Sequence, residues 1–552
     1  MPTRTRRLNA AKRLAPKPAH DALRGVSRLA LTLLVPLILL CGGATASAQT
    51  AGPTLFTYKE LVSLYGREVP PEPLRKKLNL LLTTPFVNNE ASAAGIRPLL
   101  PESARIGRAL RVVQWNVERG LEFEAVRGAL TGPAGLAEFL NPAEYPRGGQ
   151  RRELALRQAE LLKQADVVVL NEVDWGVKRT GYRAIAAELA EALGMNYAFG
   201  VEFVEVDPIS LGVEAFEELQ PEERAELAEE IEIDPTRYKG LHGTAILSRF
   251  PLENVRLIPF AYQPHDWYAD ELKSVKTLEK GKRKAAEIVF REKVRREVRR
   301  GGRMMLTAEI ADPALPSGRA TIVATHLEDK TKPSHRRRQL GELLAHIKGI
   351  KHAVVIAGDM NTTTQDSTPT SFKRELRKRL GSKSFWLKQG LKFMAGLQLP
   401  ELLLDAANVY RKQGDPTVRS VPLFATNPEA AFFEELKKFR FADGGAFDFR
   451  GERGCSAEGN AGVLSNSNQR GGKGFITTYE TERTVAFIGK FKLDWVFVKP
   501  PGQTAPYAEG QPHRFAPHFG RTLKLLNDSV EGSISDHDPI VVDLPLEEPD
   551  AH

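Results

Sequence analysis

Short apolar runs rich in β-branched side chains recur along this chain, each bounded by turn formers. Seven stand out: Leu110–Trp115, Ala165–Leu170, Thr244–Ser248, Ala320–Thr325, His352–Ala357, Lys492–Val498 and the run from Pro539 to Leu544. Runs of this length and makeup predict strands with at least one buried face. Helical spacing lies between some of them, at Arg151–Gln164 and Tyr182–Leu193, and a short helix is expected from Leu55 to Tyr65. Pro70, Pro71 and Pro73 break the chain after it. Interleaved strands and helices predict a layered α/β protein, and no internal repeat is evident.

Three stretches interrupt the pattern. Residues 203–240 include an acidic helical segment, Val213–Glu230. Residues 262–303 are basic, with thirteen Lys/Arg against four Glu from Lys273 to Arg303. That composition reads as a solvated helix face, or as a rim that attracts an anionic substrate. The stretch 380–490 is the longest and ends in Gly- and Asn-rich sequence, which suggests substrate-covering loops.

Composition changes this picture mainly at the N-terminus. The formal net charge of +9 suggests an acidic partner. Yet residues 1–28 hold eight Lys/Arg and one Asp, followed by the uncharged run Leu29–Leu40 and the small-residue end Ala46-Ser47-Ala48. This describes a secretory signal peptide over 1–48, or an uncleaved membrane anchor. The chain is thus expected to be exported, periplasmic or extracellular, with a near-neutral mature part. Residues 49–105 read as a lead-in, and 106–548 as one catalytic domain carrying the three insertions. Of the two cysteines, Cys41 lies in the leader, and Cys455 stands alone in a Gly-rich loop, which argues against an intrachain disulfide.

Polar residues able to do chemistry sit at or just inside the strand ends. They are Asn116, Glu172, His326, Asp359 with Asn361, Asp494, and Asp536 with His537. Loops at strand ends are where a rigid sheet aims functional groups. Taken singly, each has an ordinary structural explanation, such as a turn Asn or a core His.

Their flanks and order resemble the endonuclease/exonuclease/phosphatase superfamily, the deoxyribonuclease I-like fold. The matching segments are Gln114-Trp-Asn116, Asn171-Glu-Val173, Gly243–Arg249, Thr325-His-Leu327, Gly358-Asp-Met-Asn361, Leu493-Asp-Trp495 and Ser535-Asp-His-Asp-Pro539. The resemblance implies a four-layer α/β/β/α sandwich of two mixed sheets. It implies an Mg²⁺-dependent phosphoesterase (Mn²⁺ as an alternative ion), with Glu172 as the direct metal ligand, helped by Asn116 and Asp536. Asp359 would be the general base or orient the attacking water, and Asn361 would fix that water or the phosphate. His537, kept charged by Asp494, would bind the phosphate, and His326 would protonate the leaving group.

Substrate stays open between nucleic acid, a phospholipid and a small phosphodiester. Asn171 stands where many relatives have Gln, and Trp495 where many have Tyr. Phe385-Trp386 and Phe432-Phe433 would suit an apolar lip or a core. Arg303, Arg440, Asn468 and Arg470 are weaker phosphate-contact candidates, and Lys178, Arg179 and Tyr182 are similar. A non-catalytic binding protein on the same fold, or a membrane-anchored phosphoesterase, are the alternative readings.

Overall fold

The computed structural model describes residues 52–103, 106–208, 210–213, 233–273, 297–362, 430–448, 478–485, 488–502, 504, 512–516 and 518–548. The expected leader, the acidic segment 214–232, the middle of the basic stretch, Phe385-Trp386, Cys455, Asn468 and Arg470 lie outside them.

In chain order the strands are β1 (Phe86–Asn88), β2 (Glu102–Ser103), β3 (Gly107–Arg119), β4 (Val167–Trp175), β5 (Asn196–Glu205), β6 (Leu241–Ser248), β7 (Glu253–Pro259) and β8 (Arg299–Gly301). They continue with β9 (Met304–Ala311), β10 (Arg319–His326), β11 (Ala353–Asp359), β12 (Tyr479–Val485), β13 (Ile488–Phe491), β14 (Asp494–Lys499), β15 (His518–Thr522) and β16 (Ile540–Pro545). The helices used below are α1 (Tyr58–Tyr65), α2 (Glu72–Thr83), α3 (Phe123–Thr131), α4 (Gln150–Lys163), α5 (Ile185–Leu193), α6 (Pro333–Ile347) and α7 (Ala430–Lys438).

Two mixed sheets form. The larger runs β1-β5-β6-β4-β3-β16-β15, with β2 beside β3 and β8 beside β5; the smaller runs β14-β11-β10-β9-β7. Among the described residues, only β3 with β4 and β10 with β11 pair in parallel. Each parallel pair needs a long crossover, and helices supply it: α3 and α4 lie between β3 and β4, and α6 between β10 and β11.

Side-chain alternation then divides the core into layers. Odd positions of β3 such as Val113 and Trp115 pack outward with Val126 and Leu130 of α3 and Leu189 of α5. Val112, Val167, Val169, Ile322, Ala324, Val355, Ala357, Val496 and Val498 fill the space between the sheets. Val354, Ile356, Trp495 and Phe497 face the other way, onto Leu340 and Leu344 of α6 and Phe432, Phe433 and Leu436 of α7. The result is the expected α/β/β/α sandwich.

The lead-in is part of this body. Thr57 and Glu60 cap the start of α1 reciprocally. Phe56, Leu61, Leu64, Leu81 and Phe86 are buried in the same core as α3 and α5, and β1 pairs antiparallel with β5.

Candidate active site

The period-two row that fills the inter-sheet layer turns polar at one end. Val112 is followed on its face by Gln114 and Asn116, Val169 by Asn171, Ala324 by His326, and Ala357 by Asp359; Val496 is preceded by Asp494. The parallel pairs put the C-terminal ends of β3, β4, β10 and β11 on one side. Antiparallel pairing brings the starts of β14 and β16 there too: Asp359 is the register partner of Asp494, and Ile540 that of Gln114. Hence all eight residues expected from the sequence lie at one end of the sandwich.

Local backbone features set their aim. A Cβ on Gly358 would lie 1.8 Å from the Thr325 carbonyl oxygen, so only glycine lets β11 approach β10 here. At Glu172 β4 slips register against both neighbours. Glu172, Glu118 and Asn361 take left-handed φ values of 52°, 47° and 45°. Such residues cost about 1–3 kcal/mol each and persist where surrounding structure dictates them.

Asn171 ties the two sheets together. Its Oδ1 accepts from the Asp359 backbone N–H at 2.9 Å, and its Nδ2 donates to the Thr325 carbonyl at 3.1 Å and to Thr244 Oγ1 at 3.0 Å. The shorter amide is therefore a structural clasp beneath the base.

One half of the site is a relay of charges. Asp494 Oδ2 lies 2.8 Å from His537 Nδ1, while Gln114 Nε2 donates to Asp494 Oδ1 at 2.9 Å. His537 Nε2 stands 3.7 Å from Asp359 Oδ2. Burial alone would lower the His537 pKa, but Asp494 and Asp536 outweigh it and raise it well above the usual imidazole range. Asp359 is pushed up to about 7, by burial first and then by Asp494. Its Oδ1 accepts from the Asn361 N–H at 2.8 Å.

The other half is a carboxylate cluster of Glu172, Asp536 and Glu118. Asn116 Nδ2 donates to Glu172 Oε1 at 3.1 Å and reaches Asp359 Oδ2 at 3.3 Å, bridging the halves. Burial, then Asp536 and Glu172, push Glu118 up to about 8. Burial, with Glu172 against the pull of His537, raises Asp536 to about 6. Burial would also raise Glu172, but the neighbouring His326 and Arg119 groups hold it low.

Two metal-binding arrangements can be compared. Ligand atoms of Asp359, Asp494 and His537 lie within 4.8 Å of one another. Asp494, however, already accepts on both oxygens, and His537 Nδ1 is engaged with it, so this trio suits proton and charge transfer. The Glu172 cluster offers oxygen donors whose mutual repulsion a cation would relieve, which is what a hard divalent ion takes. Glu118 was missed in the sequence, although its place two residues after Asn116, on the same strand, was a readable signal.

His326 is held differently from expectation. Arg303 Nη1, which only donates, lies 2.8 Å from its Nδ1. Both ring nitrogens thus face donors: Nε2 lies 3.1 Å from Asn361 Nδ2, and 3.5 Å from Asp359 Oδ2. Burial, then Arg303, lower its pKa well below the usual range. Arg303 is itself buried, donating to Glu202 Oε2 at 3.0 Å and Asp329 Oδ1 at 3.1 Å.

The weaker candidates separate clearly. Arg440 donates to the carbonyls of Lys437 and Phe439 and braces a loop. Arg179 is bidentate to Asp174 and also binds Glu205. Tyr182 Oη accepts from the Asp234 N–H at 2.8 Å. Phe432 and Phe433 pack inside, and Phe433 meets Trp495 edge-on at 5.0 Å. The side chains around the site enclose a cavity of about 260 Å³, lined by Glu172, Asp359, Asp536, His537 and His326 among others.

A buried row of strand-end carboxylates, amides and histidines between two mixed sheets defines a hydrolytic class of site. The endonuclease/exonuclease/phosphatase family model matches residues 113–537, and the chain belongs to that family. Members of the family are hydrolases acting on phosphoester bonds and generally depend on divalent metal. Among solved structures, an endonuclease/exonuclease/phosphatase from Beutenbergia cavernae is 18% identical, with TM-score 0.36, over 79% of this chain and 72% of that one. The human nocturnin catalytic domain is 15% identical, with TM-score 0.33, over 79% and 93%. A 3'-5' exonuclease from Neisseria meningitidis is 11% identical, with TM-score 0.34, over 79% and 99%. No curated protein matches the sequence.

Proposed function

We propose that the chain is an exported phosphoesterase that hydrolyses a phosphodiester, or a phosphomonoester, by in-line attack of water. The observation that carries this reading is the meeting of the Asp359–His537–Asp494 relay with the Glu172–Asp536–Glu118 cluster. Glu172 and Asp536 would hold a divalent cation, Mg²⁺ or Mn²⁺, with Glu118 beside them and Asn116 steadying the Glu172 carboxylate through Nδ2. When bound, that ion supplies Lewis-acid neutralisation of phosphoryl charge.

Asp359, with its carboxyl near 7, accepts a proton from the attacking water at a useful pH. Asn361 keeps one oxygen of that carboxylate fixed through its N–H. His537, held as imidazolium by Asp494, places positive charge against the phosphoryl oxygens. His326, kept neutral by burial and Arg303, presents Nε2 beside Asp359 and Asn361, where it would meet the leaving oxygen. Protonation of the leaving group by His326, as expected from the sequence, would need a charged ring, which fits poorly beside the Arg303 guanidinium.

Substrate is proposed as nucleic acid or a phospholipid-like ester. Phe432 and Phe433 provide no apolar lip, which removes one argument for lipid. Loss of catalytic function on the same fold is opposed by the completeness of the residue set. Export rests on the sequence of residues 1–48; among the described residues, no helix is long and apolar enough to cross a membrane.

A substrate panel with the purified mature protein tests this directly. It contains plasmid DNA, RNA, sphingomyelin, inositol phosphates and bis(4-nitrophenyl) phosphate, each with Mg²⁺ or chelator. Hydrolysis of at least one that stops in chelator and in Glu172→Ala is the expected result. Activity that survives chelator and His537→Ala would overturn the mechanism. N-terminal sequencing of the secreted protein separates a cleaved leader from an anchor.

A further inference from the structure

We propose that a second anion subsite adjoins the phosphoryl centre, built by Arg119, Arg299 and His242, and that it takes a second phosphate group of the substrate. The inference rests on the phosphoesterase reading and deepens it.

The same cavity that holds Glu172, Asp359 and His537 is also lined by Arg119, His242, Trp267, Arg299 and Arg303. Three of these cavity residues belong to one ladder of alternating charge. His242 Nδ1 lies 2.9 Å from Asp174 Oδ1. Arg179 links Asp174 to Glu205, and Arg299 Nε donates to Glu205 Oε1 at 3.0 Å. Glu297 then contacts both Arg299 and Arg119. The two ends of the ladder, His242 and Arg119, and its inner member Arg299 all reach the cavity.

Donors outnumber well-placed acceptors along it. Glu205 serves Arg179 and Arg299, and Glu297 serves Arg299 and Arg119. Arg299 is 3% exposed and ion-paired on both sides, its Nη2 2.9 Å from Glu205 and 3.0 Å from Glu297. Arg119 Nε, by contrast, is buried without an acceptor. A buried donor left unmatched is costly, and an oxyanion entering the cavity would satisfy it. With Nδ1 committed to Asp174, His242 meets a ligand through Nε2.

The ladder is nearly balanced in charge, so its selectivity comes from directed N–H groups rather than from net field. Guanidinium forks suit phosphate for that reason. The cavity lining points to a substrate with a second phosphate next to the scissile one. A nucleotide chain and a phosphorylated lipid headgroup share this chemistry.

Calorimetric binding to the full chain in chelator tests it. One arm compares dithymidine monophosphate with and without an added 5'-phosphate. The other compares glycerophosphoinositol with and without an added ring phosphate. The added phosphate is expected to tighten binding about tenfold or more in one arm, as charge-assisted hydrogen bonds would. Arg119→Gln should abolish that gain while leaving the singly phosphorylated ligand within about twofold. His242→Gln is the second variant should Arg119→Gln fail to fold by thermal unfolding. No gain in either arm, or equal weakening of both ligands in the variant, overturns the subsite and leaves a purely bracing ladder. Because binding is read without turnover, a chain that hydrolyses nothing in the substrate panel fails the phosphoesterase reading separately.

Discussion

Asp494 is gripped from two sides, by the Gln114 amide and by the His537 ring. Asp494→Asn keeps the shape and removes the charge that holds His537 protonated. We expect kcat to fall by roughly 10²- to 10⁴-fold, the usual worth of a positioned proton-handling group. The basic limb of the pH–rate profile should also move to lower pH; an unmoved limb would deny that Asp494 sets the His537 charge. At His326 the expected effect is smaller in pH terms: His326→Gln, a neutral donor, should retain more activity than His326→Ala. The sequence showed each of these residues at a strand end, but not their pairing. Asp494 and His537 sit in different motifs, and the backbone carrying the ring is tied to β3, where Trp115 Nε1 donates to the His537 carbonyl across 422 residues of sequence. Arg303 was legible only as an arginine after two glycines. Its contact with His326 depends on β9 and β10 lying side by side.

Strands carried most of what pattern alone could say. All seven apolar runs became strands because their alternating or continuous apolar residues are buried on both sides of a sheet. The strands missed were β5, β7 and β9, for example. On β7 the burial falls mostly on one residue, Leu257, as suits an edge strand, so its run is diluted by Glu253, Asn254 and Arg256. Two substitutions test the layer assignments. Gly358→Ala would drive a Cβ into the Thr325 carbonyl between paired strands, and we expect a loss of roughly 3 kcal/mol or more in denaturant unfolding. Phe432→Ala should cost about 3–5 kcal/mol through the cavity it leaves between α7 and the smaller sheet. It should leave KM for any cleaved substrate unchanged; a raised KM with intact stability would restore the apolar-lip reading.

Over the whole molecule the acidic end of the sandwich makes stability depend on pH and metal. Asp536 near 6, Asp359 near 7 and Glu118 near 8 all lie above unfolded carboxylates at about 4. The native chain therefore binds more protons than the unfolded chain between those limits, so stability falls as pH rises through them. His537, also raised, adds to the fall above about 6.5. His326, lowered, opposes it only up to about that pH. Metal-free protein should thus lose several °C of Tm between pH 6.5 and 8.5, and Mg²⁺ should restore more at 8.5 than at 6.5. Glu118→Gln should flatten the profile, and a Tm indifferent to both pH and Mg²⁺ would remove the carboxylate cluster as the metal position. By itself the sequence determined the seven apolar strands, the family and the eight candidate site residues, because period-two burial and short strand-end motifs are local properties. Which carboxylates face one another, that His326 answers to Arg303, and that a ladder from His242 to Arg119 enters the same cavity were decided only by the tertiary structure. Those relations join residues far apart in the chain, and they arise when two sheets stack and bring their polar ends together.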